Sequence, residues 1–180
     1  MRTTVVGICI MALLAIVPVH SHSQPVLVVD PESGIVQLDD EFDVDVLVDA
    51  GFVDLMGYDI SIVFNSSIIE LLDVVEGALP QSAAAPTFFW WTMGASTDSV
   101  SVNGAVLGTT VDGPGVLYTL KFKAIAVGTT PVAIVYSDLR TGTNAGITHI
   151  KQSATVIVDD TIPVQQTTWG RLKHLYGGLE

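Results

Sequence analysis

The sequence predicts an all-β fold, a two-sheet antiparallel sandwich of about nine strands. Three observations lead there. Short apolar runs recur roughly every ten residues, separated by Gly, Pro, Asn and Asp turn signals. Within several runs apolar and polar residues alternate with a period of two. No stretch before residue 168 sustains a helical period. Apolar residues make up 49% of the 180-residue chain and charged residues 14%, enough for a core without disulfide staples.

The first 23 residues read as a leader. Arg2 supplies a positive start, Val5 to Val17 form an apolar run of 13 residues, Pro18 breaks it, and Ser21-His22-Ser23 places small residues at a cleavage position. The run is short for a membrane span. A membrane contact is therefore expected only through this segment if it stays uncleaved, and the remaining chain is expected to be secreted or held on the extracellular surface. Cys9, the single cysteine, lies inside the leader, so residues 24–180 hold no thiol for a disulfide, a nucleophile or a thiolate metal site.

Residues 24–159 carry the strands. Val26 to Val29 is the first, closed by Asp30-Pro31-Glu32-Ser33-Gly34, and Ile35 to Leu38 the second. In Phe42 to Val48, Phe42, Val44, Val46 and Val48 point inward, while Asp43, Asp45 and Asp49 face water. Met56 to Phe64 repeats this pattern, with Tyr58, Ile60, Ile62 and Phe64 in the core and Asp59, Ser61 and Val63 outside. Asn65-Ser66-Ser67 turns the chain into the apolar segment Ile68 to Val75. Residues 80–87 form a loop before Phe88-Phe89-Trp90-Trp91, and Val100 and Val102 then alternate with Ser99, Ser101 and Asn103. Val116 to Ala126 carries Leu120, Phe122 and Ala124 on one face and Lys121 and Lys123 on the other. Leu117 falls out of phase, so a bulge is expected near Tyr118. Val132 to Tyr136 and Ala154 to Val158 complete the set. Residues 160–180 form a polar linker and an amphipathic tail in which Trp169, Leu172, Leu175 and Tyr176 recur at helical spacing.

The formal charge is −12, and loss of Arg2 with the leader takes it to −13. A chain this acidic repels phosphate backbones, which excludes nucleic acid as a partner class. The acidic positions between Asp39 and Asp49 lack EF-hand spacing, so no metal is assigned. There is no Gly-x-Ser-x-Gly, His-Glu-x-x-His or phosphate loop, and the two histidines past the leader, His149 and His174, fall in segments read as exposed. No catalytic residue and no cofactor are assigned. Trp90 and Trp91 are adjacent, so one faces the core and the other is exposed. An exposed Trp can stack on a sugar or anchor a protein.

Three blocks resemble the cohesin family in family order. Asp54-Leu55-Met56-Gly57-Tyr58-Asp59-Ile60-Ser61-Ile62-Val63-Phe64 resembles its third strand, and Ile69-Glu70-Leu71-Leu72-Asp73-Val74-Val75-Glu76-Gly77 its next block. Gly115-Val116-Leu117-Tyr118-Thr119-Leu120-Lys121-Phe122-Lys123-Ala124 is similar to its Phe-Lys strand. Asn65-Ser66 stands where the family has Asp-Pro, and one module is present where scaffoldins carry arrays. The resemblance implies a jelly-roll-like, non-catalytic sandwich that docks a dockerin-type protein, in a setting of extracellular polysaccharide degradation. It matches Asp59 to an aspartate of the docking surface, with Ser61, Val63, Ser101 and Asn103 as the other partner-binding candidates. The alternative is a carbohydrate-binding module in which Trp90 or Trp91 stacks on a polysaccharide.

Overall fold

Alternation along each strand fixes which side chains share a face, and the computed structural model, which describes residues 24–31 and 34–161, assembles those faces into two packed sheets. The strands are β1 (Val26–Pro31), β2 (Ile35–Gln37), β3 (Glu41–Val48), β4 (Leu55–Val63), β5 (Ile69–Glu76), β6 (Thr87–Met93), β7 (Ser99–Val106), β8 (Gly115–Ala124), β9 (Gly128–Thr141), β10 (Ile150–Gln152) and β11 (Ala154–Asp159). One short helix, α1 (Ala78–Gln81), links β5 to β6 and buries Leu79 and Pro80, where a plain loop was expected. The leader and the tail at 168–176 lie outside the described residues. Among the described residues no helix is long and apolar enough to cross a membrane.

One sheet has five strands in the order β10-β1-β3-β8-β5. The other has six, in the order β2-β11-β9-β4-β7-β6. The predicted sandwich stands, with two refinements. Eleven strands are described where about nine were expected, and two pairings are parallel, β1 with β10 and β2 with β11. The chain changes sheets at every connection but β6 to β7, and the crossings from β1 to β2 and from β10 to β11 bring in the parallel pairs. Between β10 and β11 the Ile134 amide donates to Ser153 Oγ (3.1 Å).

The core follows the predicted phase. Phe42, Val44, Val46 and Val48 of β3 and Tyr58, Ile60 and Ile62 of β4 are buried, with Phe64 just beyond. Phe122 is fully buried, stacked with Phe42 (5.7 Å) and met edge-on by Phe64 (5.0 Å). The expected bulge is present. Pairing steps from Val46–Tyr118 to Leu47–Val116, leaving Leu117 as the extra residue, and this lets both Leu117 and Tyr118 point inward. Tyr118 stacks on Tyr58 (6.0 Å), whose hydroxyl donates to the Leu117 carbonyl (3.3 Å).

On the outer side of the five-stranded sheet, charges alternate across strands. Lys123 pairs in register with Glu41 and Glu70, and Lys121 with Asp43 and Asp73. Lys121 Nζ reaches Asp43 at 3.3 Å, and Thr119 Oγ1 donates to Asp45 at 2.6 Å. The outward aspartates of β3 are thus held by neighbours on their own sheet face. Half-exposed ion pairs of this kind contribute less than about 1 kcal/mol each.

Candidate functional site

The partner-binding candidates share one surface, the outer face of the six-stranded sheet. Residues in register across antiparallel strands lie on the same side, so three rows can be read across β9, β4, β7 and β6. The first is Arg140–Gly57–Ala105–Phe88, the second Asp138–Asp59–Asn103–Trp90, and the third Tyr136–Ser61–Ser101–Thr92. Val63 lies one step further, in register with Ser99 and Ala133. All five candidates from the sequence are therefore brought together, and Trp90 joins the row that holds Asp59 and Asn103.

The two tryptophans separate as adjacent strand residues must. Trp90 is 62% exposed, and Phe88, on the same side of β6, is 52% exposed. Trp91 is in register with Val102 and packs against the core. Of the two tryptophans offered as a sugar platform, Trp90 is the one that presents its ring to solvent, and Trp91 is half-buried against the core. Because β6 ends the sheet, Phe88 and Trp90 form an aromatic border beside the polar centre.

The polar centre is partly ordered by itself. Ser61 Oγ and Ser101 Oγ are hydrogen-bonded at 2.8 Å. Arg140 donates from Nε (2.9 Å) and from a terminal nitrogen (2.7 Å) to one Asp138 oxygen, and its other terminal nitrogen reaches the Asn144 carbonyl (3.3 Å). The Asp59 carboxylate makes no hydrogen bond or ion pair with the described residues. Gly57 and Ala105, the small pair of the first row, floor a hollow of about 480 Å³ bordered by Met56, Asp59, Asp138 and Arg140.

Asp138, Arg140, Gly57, Ala105 and Phe88 were not among the sequence candidates. The alternation Tyr136, Asp138, Arg140 was a usable signal. It was masked by the bulge at Val135, where pairing steps from Ser61–Tyr136 to Ile62–Ile134 and the strand phase resets.

His149 departs from its expected exposure. It is half-buried, with its ring beside Phe52 (5.7 Å) and Nε2 at 2.7 Å from Ser137 Oγ. Nδ1 lies 2.7 Å from the Ile147 carbonyl. A carbonyl only accepts, so in the neutral ring Nδ1 carries the proton and Nε2 accepts the serine hydroxyl. The pair has the spacing of a nucleophile and its base, but Ser137 is in register with the buried Ile60, so the hydroxyl points between the sheets. The arrangement acts as a tie between β9 and the segment leading into β10. Among the described residues no group of three or more His, Cys, Asp or Glu is gathered as a metal site.

No protein-family model matches the sequence, and no curated protein does. Solved structures do match in fold. A non-cellulosomal cohesin from the archaeon Archaeoglobus fulgidus superposes with a TM-score of 0.65 at 13% identity, covering 76% of this chain and 92% of that one. A chain of a type I cohesin–dockerin complex from Clostridium thermocellum gives 0.65 at 11%, covering 76% and 100%. A type II cohesin domain from the cellulosome of Acetivibrio cellulolyticus gives 0.66 at 7%, covering 74% and 95%. The sandwich described here has the cohesin fold.

Proposed function

We propose that this protein is a secreted, non-catalytic docking module that binds a dockerin-type protein through the outer face of its six-stranded sheet. The observation that carries the reading is the convergence of Asp59, Ser61, Val63, Ser101 and Asn103 on that single face, in a chain with the cohesin fold. A flat row of hydroxyls, an amide and an unpaired carboxylate offers charge-assisted hydrogen bonds that orient a protein partner. The exposed Phe88 and Trp90 supply apolar area at its border. The leader-like residues 1–23 support export, and the inward Ser137–His149 pair supports the absence of a hydrolytic role.

One observation favours a second reading, polysaccharide binding. Trp90 is exposed and stands in line with Asn103 and Asp59, so a sugar stacked on the indole would find hydrogen-bonding groups along the same row. The deciding experiment pans the purified sandwich against displayed dockerin modules and, in parallel, against insoluble cellulose and xylan. Saturable binding of a dockerin module, weakened by Asp59→Ala, is expected. Retention on a glycan that Trp90→Ala abolishes, with no dockerin bound, establishes the polysaccharide reading instead.

A further inference from the structure

We propose that the hollow floored by Gly57 and Ala105 is an anchor pocket for one apolar side chain of the partner, carried next to a basic residue that answers Asp59. This inference rests on the docking reading and names the chemistry the partner must bring to the face.

The hollow arises from register. Gly57 on β4 and Ala105 on β7 stand side by side, and their outer neighbours in the same row are Arg140 and Phe88. Two adjacent positions with almost no side chain leave a hollow beside Arg140 that extends over Met56 to Thr141, Gly142 and Asn144 at the end of β9. Nothing in the fold requires Gly57 to be glycine. A Cβ built there meets the Gly104 carbonyl oxygen at 3.5 Å and Ala105 Cβ at 3.8 Å, both ordinary contacts, and its φ lies outside the left-handed range. The missing side chain therefore serves the surface and not the backbone. The hollow is an open depression of about 480 Å³, roomier than one side chain needs and accessible to a side chain from a facing partner.

The rim is set in advance. Arg140 is oriented by Asp138 and the Asn144 carbonyl, so its half-exposed guanidinium plane offers a wall against which an apolar or aromatic group can lie. Its charge is already matched by Asp138. The carboxylate of Asp59, which borders the hollow in register with Asp138, has no such partner, so the face carries one uncompensated negative charge beside an apolar hollow.

Charge complementarity selects the occupant. Of the seven Lys and Arg, only Lys121, Lys123, Arg140 and Lys151 lie in the sandwich, against a formal charge of −12 for the chain. A second copy of this protein would bring the same acidic surface and is disfavoured. A glycan would centre on Trp90, two strands and roughly 10 Å from Gly57. A protein segment with a Leu-, Met- or Phe-sized side chain beside a Lys or Arg satisfies hollow and carboxylate together, and leaves Phe88 and Trp90 to cover the border.

The test uses a display library of dockerin modules sorted against the wild-type sandwich, followed by calorimetric titration of the best binder. Gly57→Leu, which plugs the hollow, is expected to weaken binding at least ~30-fold, on the scale of an interface hot spot. Asp59→Asn is expected to weaken it ~10-fold and to flatten the salt dependence. Alanine at the binder's apolar anchor should cost as much as Gly57→Leu, and combining the two should add little, since both remove one contact. If Gly57→Leu melts below wild type, Ala105→Leu serves as the plug from the neighbouring strand. Wild-type binding with unchanged affinity in both plugged variants overturns the anchor pocket and leaves the docking reading standing. A library with no wild-type binder, or binding to cellulose or xylan alone, overturns both.

Discussion

The ring of Tyr58 lies flat over Gly104, its cross-strand neighbour, so closely that a Cβ at residue 104 would overlap the ring Cζ and the hydroxyl. The next pair along the same two strands, Gly57 and Ala105, faces the other way and has room to spare. Two glycines in successive cross-strand pairs thus serve opposite sides of one sheet. Gly104→Ala is expected to lower stability by ~1–3 kcal/mol, the usual consequence of forcing a packed core apart. Gly57→Ala should stay within ~0.5 kcal/mol. Denaturant unfolding of both variants checks the contrast, and equal losses would refute it.

The tyrosine pair predicts an alkaline limit. Burial, with the Glu76 carboxylate adding to it, raises the Tyr58 phenol above its usual range. Burial raises Tyr118 as well, with Tyr58 and Asp59 contributing. A phenol is charged only when deprotonated, so above about pH 10 the unfolded chain releases protons that the folded one keeps. Stability contributed by the two rings is fully present below about pH 10 and is lost as pH rises beyond it. Denaturation midpoints measured upward from pH 8 should fall, and Tyr58→Phe should make the fall shallower. A flat profile would contradict the burial of both phenols.

Phe122→Ala is expected to destabilise by ~3–5 kcal/mol, since the ring is fully buried against Phe42 and Phe64. A loss under ~1 kcal/mol on chemical unfolding would mean that β8 is packed in another phase.

Asp59→Ala should leave the melting temperature within a few degrees of wild type, because the Asp59 carboxylate makes no hydrogen bond or ion pair with the described residues. It should weaken a protein partner by roughly 30-fold or more where the carboxylate is desolvated in the complex, and by far less at a wet rim. Calorimetry on folded variants separates the two, and unchanged affinity takes Asp59 out of the interface.

Ser137→Ala should cost ~0.5–1.5 kcal/mol, the net worth of the hydrogen bond to His149. It should change no ester-hydrolysis rate above buffer. A serine-dependent rate would replace the structural tie with a reaction.

The sequence carried the core wherever a strand was long and half-buried. Phe42 to Val48 and Tyr58 to Phe64 alternate cleanly, and the phase slip at Leu117 pointed to its bulge. It was silent where strands are short or borrowed. Ile35–Gln37 and Ile150–Gln152 have three residues each, too few to display a period, and their parallel partners lie more than a hundred residues away. The end of β9 was lost because Val135 and Tyr136 are both exposed and the polar Ser137 turns inward. The candidate face was half legible. Strand phase gave Asp59, Ser61 and Val63, and adjacency showed that one of Trp90 and Trp91 had to face out. The hollow at Gly57 was not legible, because it depends on which residue of β7 stands opposite, and register across two strands over forty residues apart is written in neither alone.

The paired crossings at the chain ends impose an order of events. β10 is the outermost strand beside β1, and β11 is the strand that joins β2 to β9, so the first sheet gains its margin and the second gains the link to its margin only with residues 150–159. A ribosome that has released residues up to 140 has made most of the core but neither closure, and both sheets keep a raw margin until the last two strands emerge. Completion is then a single late event in which β10 covers the edge of β1 and β11 that of β9, and truncation before Ile150 should leave those two long strands unpaired along one edge, with a tendency to self-associate.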